Sequence, residues 1–184
     1  MISKFKTSLG YMALATWDGE IVGLSFGHPT PGAAQKSLKQ FHSRGDSRLL
    51  AKALQDTSAR SAAFHQQVEQ RLTRFADGES VEFEDLPISV TGMTDFQKQV
   101  VAACRAIPWG ETLSYGQLAT IVGRPGAARA VGTVMRKNRY PLVVPCHRVL
   151  ASGGNLGGYS APQGLDMKRR LLALEQGNPV AASQ

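Results

Sequence analysis

The chain has 184 residues, 42% of them hydrophobic, which suits one ordinary domain or two small ones and excludes a disordered chain. Its two cysteines, Cys104 and Cys146, form no spaced framework, so a disulfide scaffold is excluded and a reducing compartment, the cytoplasm, is expected. No run of about 18 apolar residues exists to span a membrane, and the opening "MISKFKTSLGYM" lacks the apolar core of a secretory signal.

The net charge of +7 is unevenly spread. Residues 1–92 hold ten Lys or Arg against ten Asp or Glu, whereas residues 93–184 hold eleven against four, so the second half carries all of the excess. No acidic residue falls between Thr112 and Leu150, where Arg124, Arg129, Arg136, Lys137, Arg139 and Arg148 all lie. A neutral half joined to a basic half points to a polyanion, nucleic acid above all, as the partner of the second half.

In chain order, "YMALATWDGEIVGLSF" reads as two strands around an Asp18-Gly19 hairpin turn. The polar stretch from Thr30 to Ser61 reads as loop with a short helix. Phe64, Val68, Leu72 and Phe75 recur at helical spacing and predict a helix over 62–75, ended by Asp77-Gly78. "VEFEDLPISVTGM" reads as a strand running into a loop, and the domain boundary is set there, giving domains 1–92 and 93–176 and a disordered tail over 177–184.

The second half opens with Thr94 as a helix N-cap, followed by Phe96, Val100, Cys104 and Ile107 at steps that put Cys104 in the core. "SYGQLATIVGRPGAARAVGTVMRKN" divides into two short helices joined by a tight turn. Leu118, Ala119 and Val122 form the apolar face of the first, and Ala130, Val131, Val134 and Met135 that of the second. With Arg129, Arg136 and Lys137 on the second helix, the pair is a candidate helix-turn-helix.

"LVVPCHRVL", residues 142–150, sets a thiol, an imidazole and a guanidinium side by side in an apolar, strand-like run. Burial raises a thiol's pKa and silences it unless a base stands close, and His147 is that base. Neighbours on an extended strand point to opposite faces, so either a bend after Pro145 or a relaying water is required. Glu175, in the last turn of a helix expected over 164–176, sits where the macrodipole disfavours a carboxylate and is the candidate to orient His147. Arg148 is expected to be buried and paired.

"PCHRV" at 145–149, "RAVG" at 129–132, "IPWGETLSYGQLA" at 107–119, "GGYS" at 157–160 and "GLDMKRRLLALE" at 164–175 together resemble the O6-alkylguanine-DNA alkyltransferases, or methylated-DNA–protein-cysteine methyltransferases. The match is specific over 94–176 and looser before it. The resemblance implies a small N-terminal α/β domain and a mainly helical C-terminal domain with a winged-helix-like helix-turn-helix, an α/β (α+β) fold overall. It implies a monomer that enters the minor groove of double-stranded DNA, flips out O6-alkylguanine or O4-alkylthymine, and moves the alkyl group irreversibly to Cys146. No cofactor is implied; some members carry zinc in the N-terminal domain, but here that domain has no Cys and His28, His42 and His65 lack ligand spacing, so no metal is expected.

By the same resemblance, Cys146, His147, Glu175, Tyr115 and Asn138 carry the chemistry. Arg129, Tyr115, Ala128, Gly132 and Arg136 meet DNA, with Arg129 entering the base stack. Pro141, Val149, Tyr159, Ser160 and Met135 line the base pocket. Two departures stand out: Arg139 replaces the family's usual Pro after Asn138, and "SAPQG" at 160–164 is longer than common. An alkyltransferase-like protein that marks lesions without transfer is the alternative, opposed by Cys146. A Cys-His hydrolase is opposed by the adjacency of the two residues.

Overall fold

The computed structural model describes residues 1–43 and 47–177. The expected disorder of the tail therefore lies outside the described residues, apart from Gly177, which is in a turn. The contacts divide the chain into two compact units. One is Met1–Gly92 together with Arg139–Pro141; the other is Met93–Asn138 and the described chain from Leu142 onward.

The first unit is built on an antiparallel sheet of β1 (Ile2–Thr7), β2 (Gly10–Trp17) and β3 (Glu20–His28), in that order. Asp18 and Gly19 both take positive φ, 51° and 76°, as a tight hairpin turn between right-twisted strands requires. The hairpin read from the sequence is therefore present. β1 was hidden because its residues "ISKFKT" put two exposed lysines among partly buried apolar positions, which is how an edge strand is blunted.

Both faces of β2 and β3 are covered. Ala13, Ala15 and Val22 pack against Ala34 and Leu38 of α1 (Pro31–Ser43) and Leu49, Leu50 and Ala53 of α2 (Ser47–Gln55). The stretch from Thr30 to Ser61 is thus largely helical, a correction to the loop with one short helix expected there. Its composition is polar, but Pro31 starts the first helix at a position where no N–H is needed. On the other face lies α3 (Ala59–Ala76), capped by Ser58 and burying Val68, Leu72 and Phe75.

The strand expected in "VEFEDLPISVTGM" is absent. The segment makes a single parallel bridge, Ile21 to Ile88, and otherwise turns. Its alternating Val81, Phe83, Leu86 and Ile88 are buried without forming a ladder, with Phe83 at 5.8 Å from Phe75. Pro87, lacking a donor, suits such a segment.

His65 of α3 is buried between Thr16 Oγ1 at 2.7 Å and Ser3 Oγ at 2.8 Å. Burial, and then the N-terminal ammonium, push its pKa down to about 4. The folded state therefore binds fewer protons than the unfolded chain between about pH 4 and 6.5, so this contribution to stability is intact above 6.5 and fades as the pH falls towards 4. Urea unfolding across that window is expected to show the parent losing on the order of 1–3 kcal/mol more than His65→Gln. Parallel curves for the two proteins would count against it.

The second unit starts with α4 (Asp95–Arg105), whose N-cap is Thr94, as the sequence indicated; Thr94 and Gln97 close a capping box there. After it come β4 (Leu113–Ser114), α5 (Tyr115–Ile121), α6 (Ala128–Arg136), a 3₁₀ turn at Cys146–Arg148, β5 (Val149–Leu150) and α7 (Leu165–Glu175). The helix pair α5–α6 is the expected helix-turn-helix. Leu118, Ala119, Val131 and Met135 are buried in it, while Ala130, assigned to the apolar face, is exposed and lies with Arg129 and Thr133. α6 buries Val131 and Met135 and half-buries Ala128, Gly132 and Val134, so of the four positions read in sequence Ala130 alone is turned outward.

Candidate active site

Residues 142–149 are all buried, but they do not form the strand that their composition predicts. Pro145 has φ −77° and ψ 65°, and the Cys146 N–H donates to Val144 O at 2.7 Å, which is an inverse γ-turn. The 3₁₀ turn follows at once, and strand β5 begins at Val149, parallel to Leu113. Pro145 suits the turn because its φ is fixed near this value. Asn138 holds it from outside, its Nδ2 donating to Val144 O at 2.8 Å. Of the two alternatives that the Cys-His adjacency left open, the bend after Pro145 is present.

His147 is fully buried, and its Nε2 lies 2.7 Å from Glu175 Oε1. Glu175 is buried as well and receives Arg148 through Nε, at 3.1 and 3.0 Å to its two oxygens, and through Nη2 at 2.9 Å. The Gly110 N–H adds a fourth donor at 3.1 Å. Arg148 also donates to Ile107 O and stacks 5.9 Å from the Trp109 centroid. A carboxylate with this many donors stays ionised: bonds from His147 and Arg148 draw Glu175 below the usual range, outweighing the burial that opposes them. With Glu175 ionised, Nε2 carries the ring proton and Nδ1 keeps the lone pair, the tautomer of a base. Burial is the main cause of His147's lowered pKa; Glu175 pulls against it, while Arg148 and Lys168 add to it.

Cys146 is buried, and desolvation is the main reason its thiol stands above its ordinary pKa. Asn138, Lys168 and Tyr159 bring it partly back down. The Tyr159 hydroxyl is buried close to this sulfur without closing a hydrogen bond of ordinary geometry. Tyr115 opens α5 behind the Ser114–Gln117 capping box, and β4 ties that start to Val149–Leu150. Two glycines seat its ring: a Cβ on Gly157 (φ 67°) would come within 3.3 Å of it, and one on Gly132 within 3.9 Å. Burial raises the Tyr115 pKa, so the phenol stays a donor.

Of the residues singled out in sequence, the structure brings together Cys146, His147, Glu175, Asn138 and Tyr159, with Tyr115 near them. Val149 and Met135 are buried in the chain's second unit. Ser160 is exposed and donates to Arg136 O at 3.3 Å. Pro141 belongs with Arg139 and Tyr140 to the first unit. Arg129 and Arg136 are exposed on α6, beside half-buried Ala128; Gly132 faces inward, against Tyr115.

The sequence reading missed Gly110 and Lys168. Lys168 is fully buried, its Nζ donating to Val149 O at 2.7 Å and to Leu156 O. A signal for it existed: Lys168 shares a helical face with Leu171 and Glu175, three and seven residues on. Arg148 was read as buried and paired, which it is; that its partner is Glu175 was not foreseen.

Residues 95–177 match the model of the 6-O-methylguanine DNA methyltransferase DNA-binding domain. The methylated-DNA–protein-cysteine methyltransferase of Mycolicibacterium paratuberculosis is 48% identical over 120 residues, 65% of this chain and 70% of that one. That of Methanosarcina acetivorans is 40% identical over 120 residues, covering 65% and 74%. Among solved structures, Mycobacterium tuberculosis OGT in complex with DNA superposes with a TM-score of 0.71 at 31% identity, over 97% of this chain and 94% of the other. With a buried cysteine beside a histidine that a glutamate holds, and with relatives of this identity and coverage, the chain belongs to the methylated-DNA–protein-cysteine methyltransferase family.

Proposed function

We propose that this protein binds duplex DNA, flips O6-alkylguanine or O4-alkylthymine out of the stack, and takes the alkyl group onto Cys146 in a single, irreversible turnover. The observation that carries the reading is the 2.7 Å contact of His147 with Glu175 in the buried turn that bears Cys146. The Cys146 thiol gives its proton to His147, directly or through a water. The thiolate attacks the alkyl carbon, the new S–C bond forms as the C–O6 bond breaks, and the electron pair stays on the base. That anion then takes a proton, so the thiol's hydrogen is exchanged overall for the alkyl group. Tyr115, which keeps its proton at neutral pH, is the donor assigned to the departing base.

Arg129 and Arg136, exposed on α6, support a DNA-facing role for that helix, and Arg129 fills the gap that the flipped base leaves. Intact and peptide mass spectrometry after mixing with excess duplex carrying one O6-methylguanine tests the proposal. The expected result is one methyl per protein, on the peptide holding Cys146. A bound lesion with no mass gain would favour the damage-marking alternative instead.

A further inference from the structure

Lys168 of α7 is 0% exposed, yet none of its partners is anionic. Its Nζ donates to two carbonyls, Val149 O and Leu156 O, and lies 5.9 Å from the centroid of the Tyr159 ring. Among the described residues no carboxylate reaches ion-pair distance of it; Glu175, two turns further along the same face of α7, is occupied by His147 and Arg148. An ammonium buried against neutral partners is costly, and two carbonyls offset that cost only in part. Such a group is expected where an anion forms during the working cycle.

The surroundings identify that anion. Val149 lies three residues beyond Cys146, and the Tyr159 hydroxyl sits close to the same sulfur. We propose that Lys168 is a positioning residue for alkyl transfer, its buried ammonium stabilising the Cys146 thiolate while its two hydrogen bonds tie the nucleophile's turn to the loop at Leu156. This rests on the reading of Cys146 as the nucleophile.

The directions of titration agree with it: Lys168 lowers the thiol, and Cys146 raises the amine against the burial that lowers it. The other titratable groups around the sulfur are Tyr115 on α5, Cys104 on α4 and Tyr159 on the loop before α7, all with raised pKa and neutral at pH 7. His147 is neutral at rest, and Arg148 and Glu175 form an ion pair whose charges largely cancel. Lys168 is therefore the uncompensated charge that the thiolate meets.

The test needs no DNA at its first stage. The pH dependence of Cys146 carboxymethylation by iodoacetamide, followed on its own peptide, gives the thiol's midpoint in the parent and in Lys168→Met. The midpoint is expected to rise by about one unit or more in the variant, leaving about tenfold less thiolate at neutral pH. Single-turnover methyl transfer is expected to fall by a similar factor at pH 7 and to converge with the parent as the pH is raised. A purely structural lysine would give an unchanged midpoint and equal slowing at every pH, and that result overturns the proposal.

Should Lys168→Met not fold, NMR titration of the Lys168 Nζ in the parent and in Cys146→Ser reads the same coupling from the other side. The amine is expected to titrate higher in the parent, and equal values would also overturn it. A parent that gains no methyl would refute the transferase reading instead, while the thiol titration still decides the role of Lys168.

Discussion

Cys146→Ala is expected to transfer no alkyl group while binding an O6-methylguanine duplex about as well as the parent. The two halves of this result have separate physical grounds. Transfer needs a soft nucleophile, and no other side chain in the buried turn can supply one. Binding is expected to rest on the exposed arginines of α6 and on the walls of the base pocket, none of which depends on the sulfur. Removing one buried sulfur leaves a small cavity, on the order of 1 kcal/mol in stability, too little to unfold the domain.

Cys104→Ala is the matched control. Cys104 is fully buried on α4, and burial holds its thiol well above its ordinary pKa, so its loss leaves transfer intact. Radiolabelled methyl transfer and an electrophoretic binding assay measure the two quantities together. Methyl found on Cys104, or loss of binding by a folded Cys146→Ala protein, would show that the nucleophile has been misassigned.

How far the sequence foretold this arrangement depended on the range of the interaction involved. Local signals were legible: Asp18-Gly19 demands positive φ, and Thr94 caps its helix through its own hydroxyl, which accepts from the backbone N–H three residues on. Periodicity carried the helix-turn-helix, but it misplaced Ala130 on α6, because a small alanine sits equally well on either face. "VEFEDLPISV" misled for the opposite reason: its alternation is real, yet it serves burial without strand pairing.

At the site, the Cys-His pair was visible because its two members are adjacent and chemically out of place among valines. Glu175 was visible because a carboxylate closes a helix where the dipole opposes it. Gly110 could not be read, since it contributes only a backbone N–H, and which N–H meets a carboxylate 65 residues away is decided by packing. Lys168 was hidden by its company, "MKRRLL", where three consecutive cations look like a solvated face although only the first is fully buried.

Glu175→Gln is expected to damage stability and rate together, through different partners. For stability, the parent buries Arg148 against Glu175 at 2.9 Å, and the amide removes the anion while leaving the guanidinium in place. Breaking one side of a buried ion pair costs about 3–5 kcal/mol, and an isosteric amide that keeps one acceptor should fall near the low end of about 3 kcal/mol. Urea unfolding at pH 7 measures it. The pH dependence carries the sign: Glu175's folded pKa is depressed, so its contribution is present above the ordinary Glu value near 4.5 and is lost as the pH falls through the folded value. The gap between parent and variant should therefore narrow on acidification.

For rate, His147 loses the carboxylate charge that raises its basicity against burial and keeps at best a weaker, neutral acceptor. A base that has lost its anion while burial and two cations still oppose its charge accepts the thiol's proton poorly, and single-turnover transfer should fall by about 10²–10⁴-fold. Arg148→Met separates the two effects. It removes the cation that competes for Glu175, so stability is expected to fall, whereas His147 keeps its acceptor and transfer is expected to survive within about tenfold, the scale of a lost neighbouring charge. If Glu175→Gln transferred at the parent's rate while folded, the buried carboxylate would be a partner of Arg148 alone, and the proton path from Cys146 would have to end at His147.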